Sequence, residues 1–284
     1  MVVKVDFLVR PARFTDQQQI AGLIHSEKYV HRHLDWHNPL DWLGFPPYLV
    51  AEMDGRAVAA LACPPDPPQV AWIRLFASSS YLPPQESWQC LWQAARAELG
   101  KQGIVTVAVI ALRSWFENIL RASGFVSRQQ ILVLEWVGGP FRVCALPPGI
   151  SIRLMETEDL PAVAEVDAAA FAPLWQNSQA ALSRAYAQAV LMTVAESEQG
   201  ILGYQLSTPN PFGGHLARLA VWPEAQGRGV ASALVGDLIQ QLARRGLYRL
   251  TVNTQNDNVA SLTLYRRLGF RQTGERYPVF EFWM

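Results

Sequence analysis

Three short matches recur along this chain at almost constant spacing. Val9-Arg10 precedes Asp16 as Ile152-Arg153 precedes Asp159, an offset of 143 residues. Val50-Ala51-Glu52 returns as Val194-Ala195-Glu196 at 144. Leu120-x-x-x-Gly124-Phe125 returns at 145, with Tyr265 in the leucine's place ahead of Gly269-Phe270. Each match alone is at chance level. Three in order, with so little drift, indicate two copies of one fold. Between them, Gly138-Gly139-Pro140 and Pro147-Pro148-Gly149 punctuate regular structure. The expected division is a first domain over 1–138, a linker over 139–149 and a second domain over 150–284.

Bulk composition excludes several classes. Of 284 residues, 50% are hydrophobic and 17% charged, as in an ordinary globular chain, and the formal net charge is zero. No basic surface for nucleic acid is implied. Cys63, Cys90 and Cys144 are odd in number and far apart, so neither a disulfide framework nor a zinc spacing follows. Charge interrupts the N-terminal stretch too early for a signal peptide. The longest apolar run, Ile104–Leu112, is far shorter than the roughly 20 residues a membrane helix needs. A cytoplasmic protein without a membrane or nucleic-acid partner is expected; a homodimer stays open.

The second copy reads as β α α β β β α β α β. Strands are expected at 150–154, 191–196, 201–207, 215–221 and 248–254, with more in the tail after Gly269. Helices are expected at 158–170, 178–189, 230–245 and 258–268. The stripe Val230, Leu234, Val235, Leu238, Ile239 and Leu242 has helical spacing. The fold class is α/β: a mixed, mostly antiparallel sheet flanked by helices.

Where the strand at 215–221 passes to the helix at 230 stands Gln226-Gly227-Arg228-Gly229-Val230-Ala231. A helix start offers N–H groups without intrahelical partners and partial positive charge. Glycines let an anion touch the backbone. No Gly-Lys-Ser/Thr follows, which excludes a Walker loop, and Ser232 stands where a dinucleotide fingerprint wants a third glycine. An ordinary strand-to-helix turn would still read the same way.

The run extends further. Leu219-Ala220-Val221, the loop 226–231, and Asn258-x-x-Ser261-x-x-Leu264-Tyr265-x-x-x-Gly269-Phe270 together resemble the GNAT superfamily of N-acetyltransferases, with Ser261 in place of a small alanine. The likeness is strong over 216–270 and extends by element order to 150–284. It implies tandem GNAT-like domains and acetyl-CoA as cofactor, without a metal. Leu219, Ala220 and Val221 would then offer N–H groups to the thioester and pantetheine arm. Residues 226–231 would take the pyrophosphate, and Asn258 and Ser261 would meet the arm. Tyr265 stands where the family keeps its general acid, although a packed helix tyrosine would look alike. His215 stands where many relatives carry a glutamate base, with Glu196 a remote rival and Glu224 on the outer surface. Phe171, Leu174, Trp175, Phe212 and Tyr277 are candidates for lining the acceptor pocket or for packing.

The implied activity is acetyl transfer to a primary amine, of a small molecule or else of a protein N-terminus or lysine. A non-catalytic acyl-CoA sensor and a dimerisation scaffold are the rival classes.

The first copy reads differently. Trp72–Phe76 is the expected matching strand, but the loop 77–87 has no glycine, and Pro83 and Pro84 lack N–H donors. Leu120, in the place of Tyr265, cannot donate a proton. This copy is expected to keep the fold and to have lost cofactor binding. His25, His31, His33 and His37 crowd with Trp36 and Trp42 without the ligand set of a zinc site. Packing, or shaping the other copy's acceptor site, is expected of them.

Overall fold

The computed structural model describes residues 7–139, 146–211 and 213–284; Cys144, Phe212 and most of the expected linker lie outside them. The chain has a mixed α/β fold and divides into two compact units. Unit 1 is Met1–Arg128 with Tyr277–Met284, and unit 2 is Gln129–Arg276.

Unit 1 contains β1 (Leu8–Pro11), α1 (Gln17–Ser26), β2 (Tyr29–Arg32), β3 (Tyr48–Met53), β4 (Arg56–Ala62), β5 (Val70–Trp72), β6 (Leu75–Ser78), α2 (Pro84–Lys101), β7 (Thr106–Ile110) and α3 (Ser114–Ala122), and β8 (Val126–Val137) starts in it. Its antiparallel sheet runs β1-β3-β4-β6-β2, and β5 lies parallel to β7. Unit 2 contains β9 (Ser151–Leu154), α4 (Leu160–Ala170), α5 (Gln179–Gln188), β10 (Leu191–Ser197), β11 (Gly200–Asn210), β12 (Gly213–Val221), α6 (Val230–Arg244), β13 (Arg249–Gln255) and α7 (Val259–Arg267), and β14 (Arg271–Trp283) starts in it. Its strands run β8-β13-β12-β11-β10-β9, antiparallel except for β12 against β13.

Each copy lends its last strand to the other unit. Ile131–Val137 of β8 pairs with β13, while Val279–Trp283 of β14 pairs with β7. Leu134 and Trp136 are buried with Val235, Leu238 and Tyr265 in unit 2, and Phe280 is buried in the core of unit 1. The units therefore do not meet the expected cut at 139–149. Apolar alternation marks a strand but carries no sign of which sheet will pair with it.

The repeated residues turn out to be repeated devices. In unit 1, Arg10 reaches Asp16 at 2.7 Å and Glu52 at 2.8 Å; in unit 2, Arg153 reaches Asp159 at 2.6 Å and Glu196 at 2.8 Å. Each triad ties the edge strand to its neighbour and to the turn before the first helix. Gly124 and Gly269 end α3 and α7 with φ of 87° and 88°. The following amides bond back across that stop, Phe125 to Leu120 O at 3.0 Å and Phe270 to Tyr265 O at 2.9 Å.

One element differs from expectation. The strand read at Trp72–Phe76 is split into β5 and β6, with Ile73 and Arg74 between. Ile73 N–H donates to Ala108 O on β7, whereas Arg74 N–H donates to Ala62 O on β4. The chain changes partners there, so no single strand spans the stretch.

Candidate active site

In unit 2, β12 is bent by a bulge. Its register with β11 passes from Ser207↔Leu216 to Leu206↔Arg218, leaving Ala217 over. Its parallel pairing with β13 covers only Gly214–Leu216 against Leu250–Val252, although β12 runs on to Val221 and β13 to Gln255. Past Leu216, β12 stays with β11 and β13 stays with β8, so the two strands part. Trp222 N–H donates to Leu202 O on β11, so by alternation Ala220 also faces β11. The backbone groups of Leu219 and Val221 therefore face the parting.

The loop beyond is stiffened on one side and bare on the other. Gln226 Nε2 donates to Val221 O at 3.0 Å. Gly227 has φ +73°, and a Cβ there would meet nothing within 4 Å. Gly229 caps α6 with φ 92° and no side-chain hydrogen bond. A β-carbon would disfavour this left-handed conformation by about 1–2 kcal/mol. The first α6 amide bonded back to the cap is Ala233, to Gly229 O at 2.9 Å. The N–H groups of Val230, Ala231 and Ser232 are free of intrahelical acceptors, and Arg228 stands exposed beside them. These residues fit the pyrophosphate of coenzyme A, and the parting of the strands fits a slender amide-bearing arm.

Tyr265 lies on α7, 4% exposed, with its ring 5.4 Å from that of Phe270. Burial lifts its hydroxyl above the usual phenol range, so it is a proton donor at neutral pH. Asn258 caps α7, its side chain accepting from Ser261 N–H at 3.0 Å, which commits Oδ1 to the helix. His215 Nδ1 lies 2.8 Å from Thr251 Oγ1, and that hydroxyl reaches Gly214 O at 3.5 Å. With the hydroxyl donating to the carbonyl, the hydrogen sits on His215 Nδ1 and the lone pair on Nε2. Burial lowers the imidazole pKa, which keeps it neutral. Four residues of strand, about 13 Å, separate His215 from Leu219. Any proton path from a reacting amine to it needs water. Glu196 is held in the Arg153 triad, and Glu224 is exposed.

A buried ion pair lies beside these residues, and sequence reading missed it. Arg218 donates to Asp167 Oδ2 from Nε at 2.7 Å and to Oδ1 from Nη2 at 2.8 Å. Nη2 also donates to Trp175 O at 2.6 Å, and the guanidinium lies 3.6 Å over the Phe171 ring. Asp167 further accepts from Asn177 N–H and the Tyr204 hydroxyl. Four donors fill this carboxylate, so it is no free base. The signal was a lone charge inside each of two short apolar runs, Val166–Ala170 and Leu216–Val221. Of the lining candidates, Phe171 and Trp175 meet at Arg218, and Leu174 lies between them in sequence. Tyr277 belongs to unit 1.

The corresponding part of unit 1 is unlike this. Pro83 is the cap of α2 and Pro84 its first residue, so two donors are absent. Ser80 N–H donates to Glu27 Oε2 at 2.7 Å. His31, His33 and His37 stack on Phe116, Trp72 and Trp42 at 4.6, 4.8 and 4.3 Å. His25 is exposed. Among the described residues no three His, Cys, Asp or Glu side chains are grouped to hold a metal ion. Nor is any helix there long and apolar enough to cross a membrane.

Comparison with known proteins gives the family of part of the chain. A mycothiol acetyltransferase of Amycolatopsis mediterranei is 30% identical over 169 residues, 52% of this chain and 56% of that one. The chain thus spans about half the length of the curated relatives it matches. A GCN5-related N-acetyltransferase from Sphaerobacter thermophilus shares the fold with TM-score 0.63 at 19% identity, over 99% of this chain and 97% of that one. A tandem GNAT protein from the clavulanic acid biosynthesis pathway does so with TM-score 0.64 at 17% identity, over 98% of each. The model of the acetyltransferase (GNAT) family matches residues 158–270, and that stretch, from the turn before α4 to the stop after α7, is a GNAT acetyltransferase domain.

Proposed function

We propose that unit 2 is an acetyl-CoA-dependent N-acetyltransferase acting on the primary amine of a small molecule by direct attack, and that unit 1 is a copy that binds no nucleotide. One observation carries the reading. The strands β12 and β13 part just ahead of a loop whose two left-handed glycines open onto the start of α6, which no side chain caps. That the relatives are named for a small-molecule thiol supports a small acceptor over a protein N-terminus or lysine.

Acetyl-CoA, when bound, supplies an activated acyl carbon. The amides of 227–232 and Arg228 bind its pyrophosphate. The N–H groups of Leu219 and Val221 would serve as donors to the thioester oxygen and would stabilise negative charge there. His215 Nε2 would take the ammonium proton through water, and the Tyr265 hydroxyl would supply a proton to the coenzyme's sulfur.

Calorimetry with coenzyme A tests the site. The wild type should bind, and Gly229→Trp should bind about 100-fold more weakly, ~3 kcal/mol. A wild type without affinity overturns the reading. Binding without thiol release across a broad amine panel makes unit 2 a sensor instead.

A further inference from the structure

Gln129 opens unit 2 but comes from the last strand of the first copy. Both ends of its side-chain amide are engaged. Oε1 accepts from the Trp175 indole N–H at 3.2 Å, and Nε2 donates to Asp257 Oδ2 at 2.7 Å. An indole only donates and a carboxylate only accepts, so the amide has one orientation. The next residue is tied to the same turn: Gln130 N–H donates to Asn256 Oδ1 at 2.8 Å, and Gln130 O accepts from Asn256 N–H at 2.8 Å. That turn leads into α7, which carries Tyr265. Trp175 is therefore held twice, its carbonyl by Arg218 on β12 and its indole by Gln129.

We propose that Gln129 is a positioning residue for the acyl acceptor. It ties the aromatic segment 171–175 to the turn that starts α7 and so sets the opening through which the amine enters. The inference rests on the proposed function of unit 2. It gives the first copy a part in the reaction without a nucleotide site of its own. The bond to Asp257 is exposed and that to Trp175 only part-buried, so the bridge adds little to stability and its loss should be read in acceptor kinetics.

The test is a double-mutant cycle of Gln129→Ala and Trp175→Phe, which removes the indole donor and keeps an aromatic ring. Each variant is assayed for acceptor KM, kcat, coenzyme A affinity and melting temperature. Gln129→Ala should raise acceptor KM about 5-fold, the worth of one hydrogen bond. Its kcat, coenzyme A affinity and melting temperature should stay as in the wild type. Trp175→Phe should do the same, and the double variant should be no worse than either single one. Unchanged KM, additive effects, or an equal loss of coenzyme A affinity overturns the positioning role. Should Gln129→Ala not fold, Trp175→Phe alone must raise KM or the role is refuted. A wild type that neither binds coenzyme A nor releases thiol sinks the proposed function and this role together; turnover with an unaffected Gln129→Ala sinks this role only.

Discussion

After equivalent strands, the two units spend the next residues in opposite ways. In unit 2, Val221 is followed by a loop with glycines at 227 and 229, and α6 begins with amides that no side chain caps. In unit 1, Ser78 is followed by a loop that satisfies itself. Glu27 takes the Ser80 amide, Ser80 Oγ accepts from Lys28 N–H at 3.1 Å, and two prolines open α2. An internal carboxylate sits where an external anion would have to bind. The shared framework alone does not make the site. Anion binding requires donors left without internal partners, at a helix start that tolerates it.

The two units also share a device. In unit 2, Arg218 pairs with Asp167 and lies on Phe171; in unit 1, Arg74 pairs with Asp35 at 2.7 Å and lies 4.9 Å over Trp42. Both arginines follow the point where the strand changes partners or bulges. A guanidinium reaches across such a break and bonds the carbonyls and carboxylates it exposes.

The comparison can be broken most severely by separating the copies. A chain of residues 150–284 lacks Ile131, Leu134 and Trp136, each buried in the structure. Each such side chain is worth about 1.5–3 kcal/mol, against a typical total of about 5–15 kcal/mol. That fragment should show no cooperative thermal unfolding and no coenzyme A binding. A fragment that does both refutes the exchange of strands β8 and β14 as a requirement.

A smaller effect concerns the matched helix positions. Tyr265→Phe should lower kcat about 100-fold with coenzyme A affinity unchanged, while Leu120→Phe in unit 1 should leave kcat alone. Equal behaviour of the two variants in steady-state assays would erase the difference between the copies.

The smallest effect is in pH dependence. Burial lowers the folded pKa of His215 below its usual 6.5. The base form is then retained as pH falls and is lost only below that lowered value. The acid limb of kcat/KM should therefore lie under pH 6.5, and His215→Gln should abolish it. A limb at or above 6.5, or one that survives the substitution, removes His215 from the proton path.

Much of this was legible locally. The stripe of α6 and the glycines of the loop at 226–231 act within a few residues, and α6 runs from Val230 as its stripe predicts. The triads at Arg10 and Arg153 were visible only as matching letters, because one ion pair of each joins residues more than forty positions apart. The role of the tail could not be read. Residues 277–283 carry the aromatic and β-branched side chains of a strand, yet pairing with β7 depends on which edge is free after both copies have folded.

The two copies, the order of elements in the second, and the loop that leaves its amides bare are legible along the chain, since backbone preference and hydrophobic period are short-range properties. The exchange of last strands, the parting of β12 from β13, and the burial of Arg218 on Asp167 beside the Gln129 bridge come from the folded chain. Those depend on what lies across a sheet or under a helix, and distance along the chain carries no record of it.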